Sequence, residues 1–168
     1  MKNKYQALID KCIELGAHEA KLIDTDQVIF DPRSFLKCRF GCNRWGNYWT
    51  CPPNLNLSPE LFMEAFDKYS KAIIVKTADP DVGQDIALAI EKKAMLSYGS
   101  LYAFAMALCV KCEECAYPQP CLYPHLARPS MDAYGVDIGL TIEASGFKVE
   151  FDKNGELLPA WYSMILVE

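Results

Sequence analysis

The sequence predicts an α/β fold: a single metal-binding domain over residues 1–168, with a mixed sheet carrying a βαβ unit, helices packed on it, a C-terminal β-hairpin and two cysteine-rich metal loops. Three observations lead there. Amphipathic helical stripes alternate with short apolar runs of strand length; an Asn154-Gly155 turn separates two strand-like stretches near the end; and seven of the eight cysteines fall into two groups within irregular sequence. A chain of 168 residues buries a core without covalent staples, so a metal centre would be an addition to the fold.

The first helix is read from Tyr5, Leu8, Ile9, Cys12 and Ile13, which share one helical face, with Gly16 as the residue that ends it. Cys12 sits on that apolar stripe and reads as a small core residue. Ala20 to Phe30, apolar at both ends around Asp24-Thr25-Asp26, reads as one bent strand or a short hairpin. From Asp31 to Ser58 regular patterning stops. Prolines and glycines punctuate this stretch, yet Phe35, Phe40, Trp45, Tyr48 and Trp49 carry too much aromatic surface for disorder, so something must hold it. Ser58-Pro59-Glu60 opens a helix that runs to about Tyr69. Ala72 to Val75 is a buried strand, Asp81 to about Ser97 a helix stopped by Gly99, and Leu101 to Leu108 a second strand. Strand, helix and strand make the βαβ unit and set Cys109 at a strand's carboxyl end, where open α/β sheets bind ligands. Ser130 caps a short turn through Met131 to Ala133, and Asp137 caps a last helix ended by Gly146. Phe147 to Phe151 and Ala160 to Val167, joined by Asp152-Lys153-Asn154-Gly155, form the terminal hairpin.

Cys109, Cys112, Cys115 and Cys121 form the first metal-ligating group. Three cysteines at CxxCxxC spacing cannot pair off as disulfides, and a tetrahedral zinc usually takes only one CxxC knuckle from a segment. A [4Fe-4S] cluster presents several irons to one wrapping loop, and the bacterial ferredoxin run opens with this spacing. The gap to Cys121 is longer than in that run, so either Cys121 or Cys51 completes the four. Cys38, Cys42 and Cys51 form the second group, which can complete a zinc site, hold its own cluster or lend Cys51 to the first. The cofactor expected is a [4Fe-4S] cluster, one or two per chain, with zinc as the alternative.

Arg33, Lys37, Arg39 and Arg44 are interleaved with aromatics, a mixture that can bind single-stranded nucleic acid. A thiolate-ligated cluster is itself anionic, and offsetting its charge is the preferred explanation for these cations. A net charge of -5 also argues against bulk attraction to nucleic acid or anionic lipid. His18 reads as a solvated or capping residue, while His125, four residues past Cys121, is a weaker candidate for ligation or proton transfer. No nucleotide, flavin or serine-hydrolase motif is present. The first sixteen residues carry Asp10 and Glu14 and lack the uninterrupted apolar core of a secretory signal. Eight cysteines used as metal ligands suit a reducing, cytoplasmic location, and no apolar run reaches the length of a membrane span.

With CNRWGNYWTCPP at Cys42 to Pro53 and CVKCEECAYPQPCLYPHLARPSMDAYGV at Cys109 to Val136 both in view, the chain resembles an uncharacterised family of small bacterial and archaeal predicted metal-binding proteins, a domain of unknown function. The resemblance spans nearly the whole chain. It implies Cys38, Cys42, Cys51, Cys109, Cys112, Cys115 and Cys121 as ligands and makes the Arg128-Pro129-Ser130 turn part of the site. Leu122 stands where a basic residue is expected and Asp132 where Glu is expected. The function expected is electron transfer or an accessory redox role. The alternatives are an enzyme whose cluster keeps one iron free of cysteine and a zinc-stabilised binding protein. The partner is accordingly a redox protein or a small anionic ligand.

Overall fold

The computed structural model describes residues 3–156 and 158–168. Its elements run α1 (Lys4–Glu14), β1 (Glu19–Asp24), α2 (Arg33–Gly41), α3 (Pro59–Phe66), β2 (Lys71–Thr77), α4 (Pro80–Tyr98), β3 (Phe104–Met106), α5 (Ile138–Ala144) and β4 (Trp161–Leu166). Short 3-10 turns cover Thr25–Gln27 and Met131–Tyr134.

The α/β class holds, with helices on both faces of a four-stranded sheet in the order β1-β2-β4-β3. Side chains along β2 and β4 point alternately to the two faces of the sheet, and nearly all are buried. Ile73, Val75, Ile165 and Val167 pack under α1 and α4 against Leu8, Cys12, Ile86 and Ile90. Ala72, Ile74, Met164 and Leu166 face the other way, onto Phe62, Phe66, Met131 and Ile142. Both strands are covered on both faces, which explains their nearly unbroken apolar runs.

Strand pairing differs from the sequence expectation. Every adjacent pair is antiparallel, so the sheet is not mixed in its ladders. β2 and β3 still run parallel to each other and are still joined through α4, but β4 lies between them and splits the βαβ unit. The C-terminal turn forms as expected, with the Gly155 amide donating to the Asp152 carbonyl (3.0 Å) and that of Leu158 to Glu150 (2.9 Å). The strand that follows does not fold back on 147–151 along its length. Val149 and Phe151 remain exposed, whereas Met164, Ile165 and Leu166 need cover on both faces and find it only in the sheet centre.

Two further expectations change in the first third of the chain. The extended run beginning at Ala20 ends at Asp24, and Phe30 makes only an isolated bridge to Val136. The stretch after Asp31, expected to be irregular, contains α2. The Asp31 carboxylate accepts from the Arg33 amide (2.9 Å), and Ser34 donates to the Asp31 carbonyl through its amide (2.9 Å) and hydroxyl (2.7 Å). Phe35 of α2 lies against Gly135, where a Cβ would stand 3.0 Å from the ring and φ is +87°. Glycine at that position lets α2 approach the 3-10 turn that carries Asp132.

Candidate metal centres

The chain between β3 and the 131–134 turn is a closed excursion whose base is tied by the Ala107 amide donating to the Pro129 carbonyl (2.8 Å). Arg128 grips buried Glu91 of α4 with two nitrogens, Nε to Oε2 at 2.9 Å and Nη2 to Oε1 at 2.5 Å. The same carboxylate accepts from the Ala105 amide (2.6 Å), so one acidic residue joins helix, strand and loop base. Gln84, fully buried about two turns earlier on the same face of α4, accepts from the Val110 amide (2.9 Å) and donates to the Leu126 carbonyl (3.0 Å). Lys111 pairs with Asp81 (2.9 Å) and Asp85 (2.5 Å). Within this frame Cys109, Cys112, Cys115 and Cys121, all free and half-buried, line one cavity of about 20 Å³. Burial and the neighbouring thiols push the Cys112 thiol upward.

A second group assembles elsewhere. Cys38 on α2 and Cys42 at its end are four residues apart, a spacing that brings side chains to one helical face. Cys51 lies within a turn closed by the Gly46 amide donating to the Pro52 carbonyl (2.9 Å) and Asn54 Nδ2 to that of Tyr48 (3.0 Å). The three cysteines line a cavity of about 40 Å³ together with Arg44, Ser130 and Asp132. Cys38 Sγ is 3.7 Å from Asp132 Oδ2, and the Ser130 hydroxyl donates to Asp132 Oδ1. Burial pushes the Cys38 thiol up to about 12, helped by the Asp132 charge. Cys51 rises to about 11 for the same first reason, opposed by Arg44. Cys38, Cys42 and Asp132 also border a larger cavity of about 510 Å³.

Two residues of the aromatic segment tie the cysteine-bearing stretches together. Arg44 borders the three-cysteine cavity, donates from Nη1 to the Cys109 carbonyl (2.8 Å) and lies over the Tyr48 ring at 4.2 Å. Trp49 donates to the Gln119 carbonyl (2.8 Å) and meets Tyr117 edge-on at 5.0 Å. The segment expected to need an anchor is therefore held, and it also anchors the loop opposite.

The candidates separate by cavity. Cys121 sits with Cys109, Cys112 and Cys115, while Cys51 sits with Cys38 and Cys42. Cys12 is wholly buried in the core, its thiol pushed up to about 12 by burial. His18 and His125 are exposed and border neither cysteine-lined cavity. Of the Arg128-Pro129-Ser130 turn only Ser130 reaches a cysteine cavity, because Arg128 is engaged with Glu91. Arg39 lies over the rings of Phe40 and Trp45. Among the described residues no three His, Cys, Asp or Glu side chains converge tightly enough to hold a single metal ion as they stand. Asp132 as a neighbour of the thiols and Gln84 as the loop's clamp were missed. Both meet their partners through folding; Ser130 stands at the N-cap position of the 131–134 turn as expected, but its side chain makes no capping bond, its hydroxyl going to Asp132 instead.

An α/β frame that gathers seven free cysteines into two lined cavities defines a cysteine-rich protein equipped to bind metal. The chain belongs to the family described as "Predicted metal-binding protein (DUF2284)", which matches residues 21–167. No curated protein and no solved structure matches it. No helix among the described residues is long and apolar enough to cross a membrane.

Proposed function

We propose that this protein is an iron–sulfur protein in which Cys109, Cys112, Cys115 and Cys121 hold a [4Fe-4S] cluster used for electron transfer. The observation that carries this reading is that four free thiols from a single loop of CxxCxxC spacing border one cavity. The loop is clamped at its base and flank by Arg128, Gln84 and Lys111, which holds the donors in place. A cluster closed by four thiolates has no free coordination position, and it supplies one-electron chemistry. Half-burial of all four cysteines keeps such a centre within reach of a partner's surface.

Anaerobically prepared protein should be brown and carry about four irons and four acid-labile sulfides for each cluster. Zinc is the second reading, favoured by the narrowness of the cavity, whose space of about 20 Å³ is nearer to that of one ion than to that of a cubane. Stoichiometric zinc without sulfide, in protein made under iron-replete anaerobic conditions, would decide for it.

A further inference from the structure

The three-cysteine corner has one thiol fewer than the loop, and a carboxylate borders the same cavity. Asp132 borders the same cavity as Cys38, Cys42 and Cys51, with Oδ2 3.7 Å from Cys38 Sγ. Its other oxygen is oriented by Ser130, a polar contact of the kind that fixes a ligating carboxylate. The turn bearing it is pressed against α2 by the close Phe35–Gly135 contact, so donors from two distant segments are held together. The corner also differs from the loop in its surroundings. Cys38, Cys42 and Asp132 form one wall of the cavity of about 510 Å³, a volume typical of small-molecule sites, whereas none of the four loop cysteines borders it. Lys37 lines the same cavity, as do Asp31, which is paired with Arg33, and Asp137.

We propose that Asp132 is the fourth donor of a second metal centre held by Cys38, Cys42 and Cys51, and that a small anion entering the adjoining cavity displaces its carboxylate. Oxygen donors bind thiophilic metals less tightly than thiolates, so Asp132 would be the donor that exchanges. Lys37 supplies a charge for the anion's far end. This rests on metal binding by the chain but not on occupation of the 109–121 loop.

The test uses the full chain loaded anaerobically with iron and sulfide. Cys112→Ser should remove the loop's centre and about half of the iron, leaving the corner's spectrum alone in view. In that background cyanide should alter the electron paramagnetic resonance of the reduced centre. Asp132→Cys should keep the iron, shift the signal and abolish the cyanide response. Asp132→Asn, which keeps an acceptor for Ser130, should lower the remaining iron. Unchanged iron, signal and cyanide response in both Asp132 variants would overturn the proposal, as would complete loss of iron in Cys112→Ser from wild-type protein that holds it. Iron retained in full by Cys112→Ser would instead count against the loop reading while supporting this one.

Discussion

The two cysteine-lined regions are built on opposite plans. The 109–121 loop draws four thiols from thirteen consecutive residues and takes its support from α4, through Gln84, Glu91 and the two aspartates on Lys111. The corner draws three thiols from residues 38–51 and a carboxylate from residue 132, and its geometry depends on how α2 meets the 131–134 turn. The loop is closed and small, while the corner opens onto the largest cavity bordering either group. A continuous run of thiols suits holding a cofactor, and thiols assembled with a carboxylate from a distant segment suit exposing it. Arg44, bordering the corner and bonded to the Cys109 carbonyl, means that neither region is structurally independent.

The change with the largest expected effect erases the distinction. Arg128→Ala leaves the Glu91 carboxylate without its ion-pair partner and unties the loop base, at an expected cost of about 3–5 kcal/mol. Urea unfolding should show the loss directly. Since Pro129, Ser130 and Asp132 continue from that base, loading of both regions should suffer.

Gln84→Ala sharpens the comparison, because it touches only one side. It leaves the Val110 amide and the Leu126 carbonyl unpaired, costing about 2 kcal/mol. Limited proteolysis of the variant should cut within 109–126 earlier than in wild type, with cleavage in 33–57 unchanged. Earlier cutting of both segments would mean that Arg44 and Trp49 couple them more strongly than the clamp does.

Cys12→Ser tests whether the eighth cysteine belongs to either region. It should cost about 1 kcal/mol from a buried hydroxyl, without changing metal content. Metal loss in a folded variant would place a ligand in the α1 core.

The smallest effect concerns protons. In metal-free protein at pH 8 the Cys12 and Cys38 thiols, both pushed up to about 12, and Cys51, at about 11, remain protonated. The thiolate is the nucleophile, so alkylation at Cys38 and Cys51 should be slow and should accelerate about tenfold for each pH unit below those values. Mass mapping of labelled cysteines gives the order. Fast labelling of Cys38 at neutral pH would remove the burial and Asp132 charge assigned to it.

Legibility followed the same division. The loop's grouping of four thiols could be read because spacing along the chain is itself the motif, and α1, α3, α4 and α5 could be read because their caps and stripes are local. Ser58 and Asp137 cap as expected, and Gly99 ends α4 with φ +72°. α2 escaped because Leu36 and Phe40 point to solvent, leaving no apolar stripe, and the flanking prolines and glycines suggested irregular chain. The place of β4 escaped because the Asn154-Gly155 turn signals a local reversal, whereas its partners lie far away in sequence. Asp132 escaped for the same reason: its link to Cys38 spans ninety-four positions.

The central claim, that seven cysteines divide into two separate centres, is tested most directly by native mass spectrometry of the anaerobically loaded full chain beside Cys112→Ser and Cys51→Ser. The account predicts two cluster increments in wild type and one in each variant, with cyanide perturbing only the cluster that Cys112→Ser retains. A single increment in wild type, lost in both variants, would mean that the two groups serve one site.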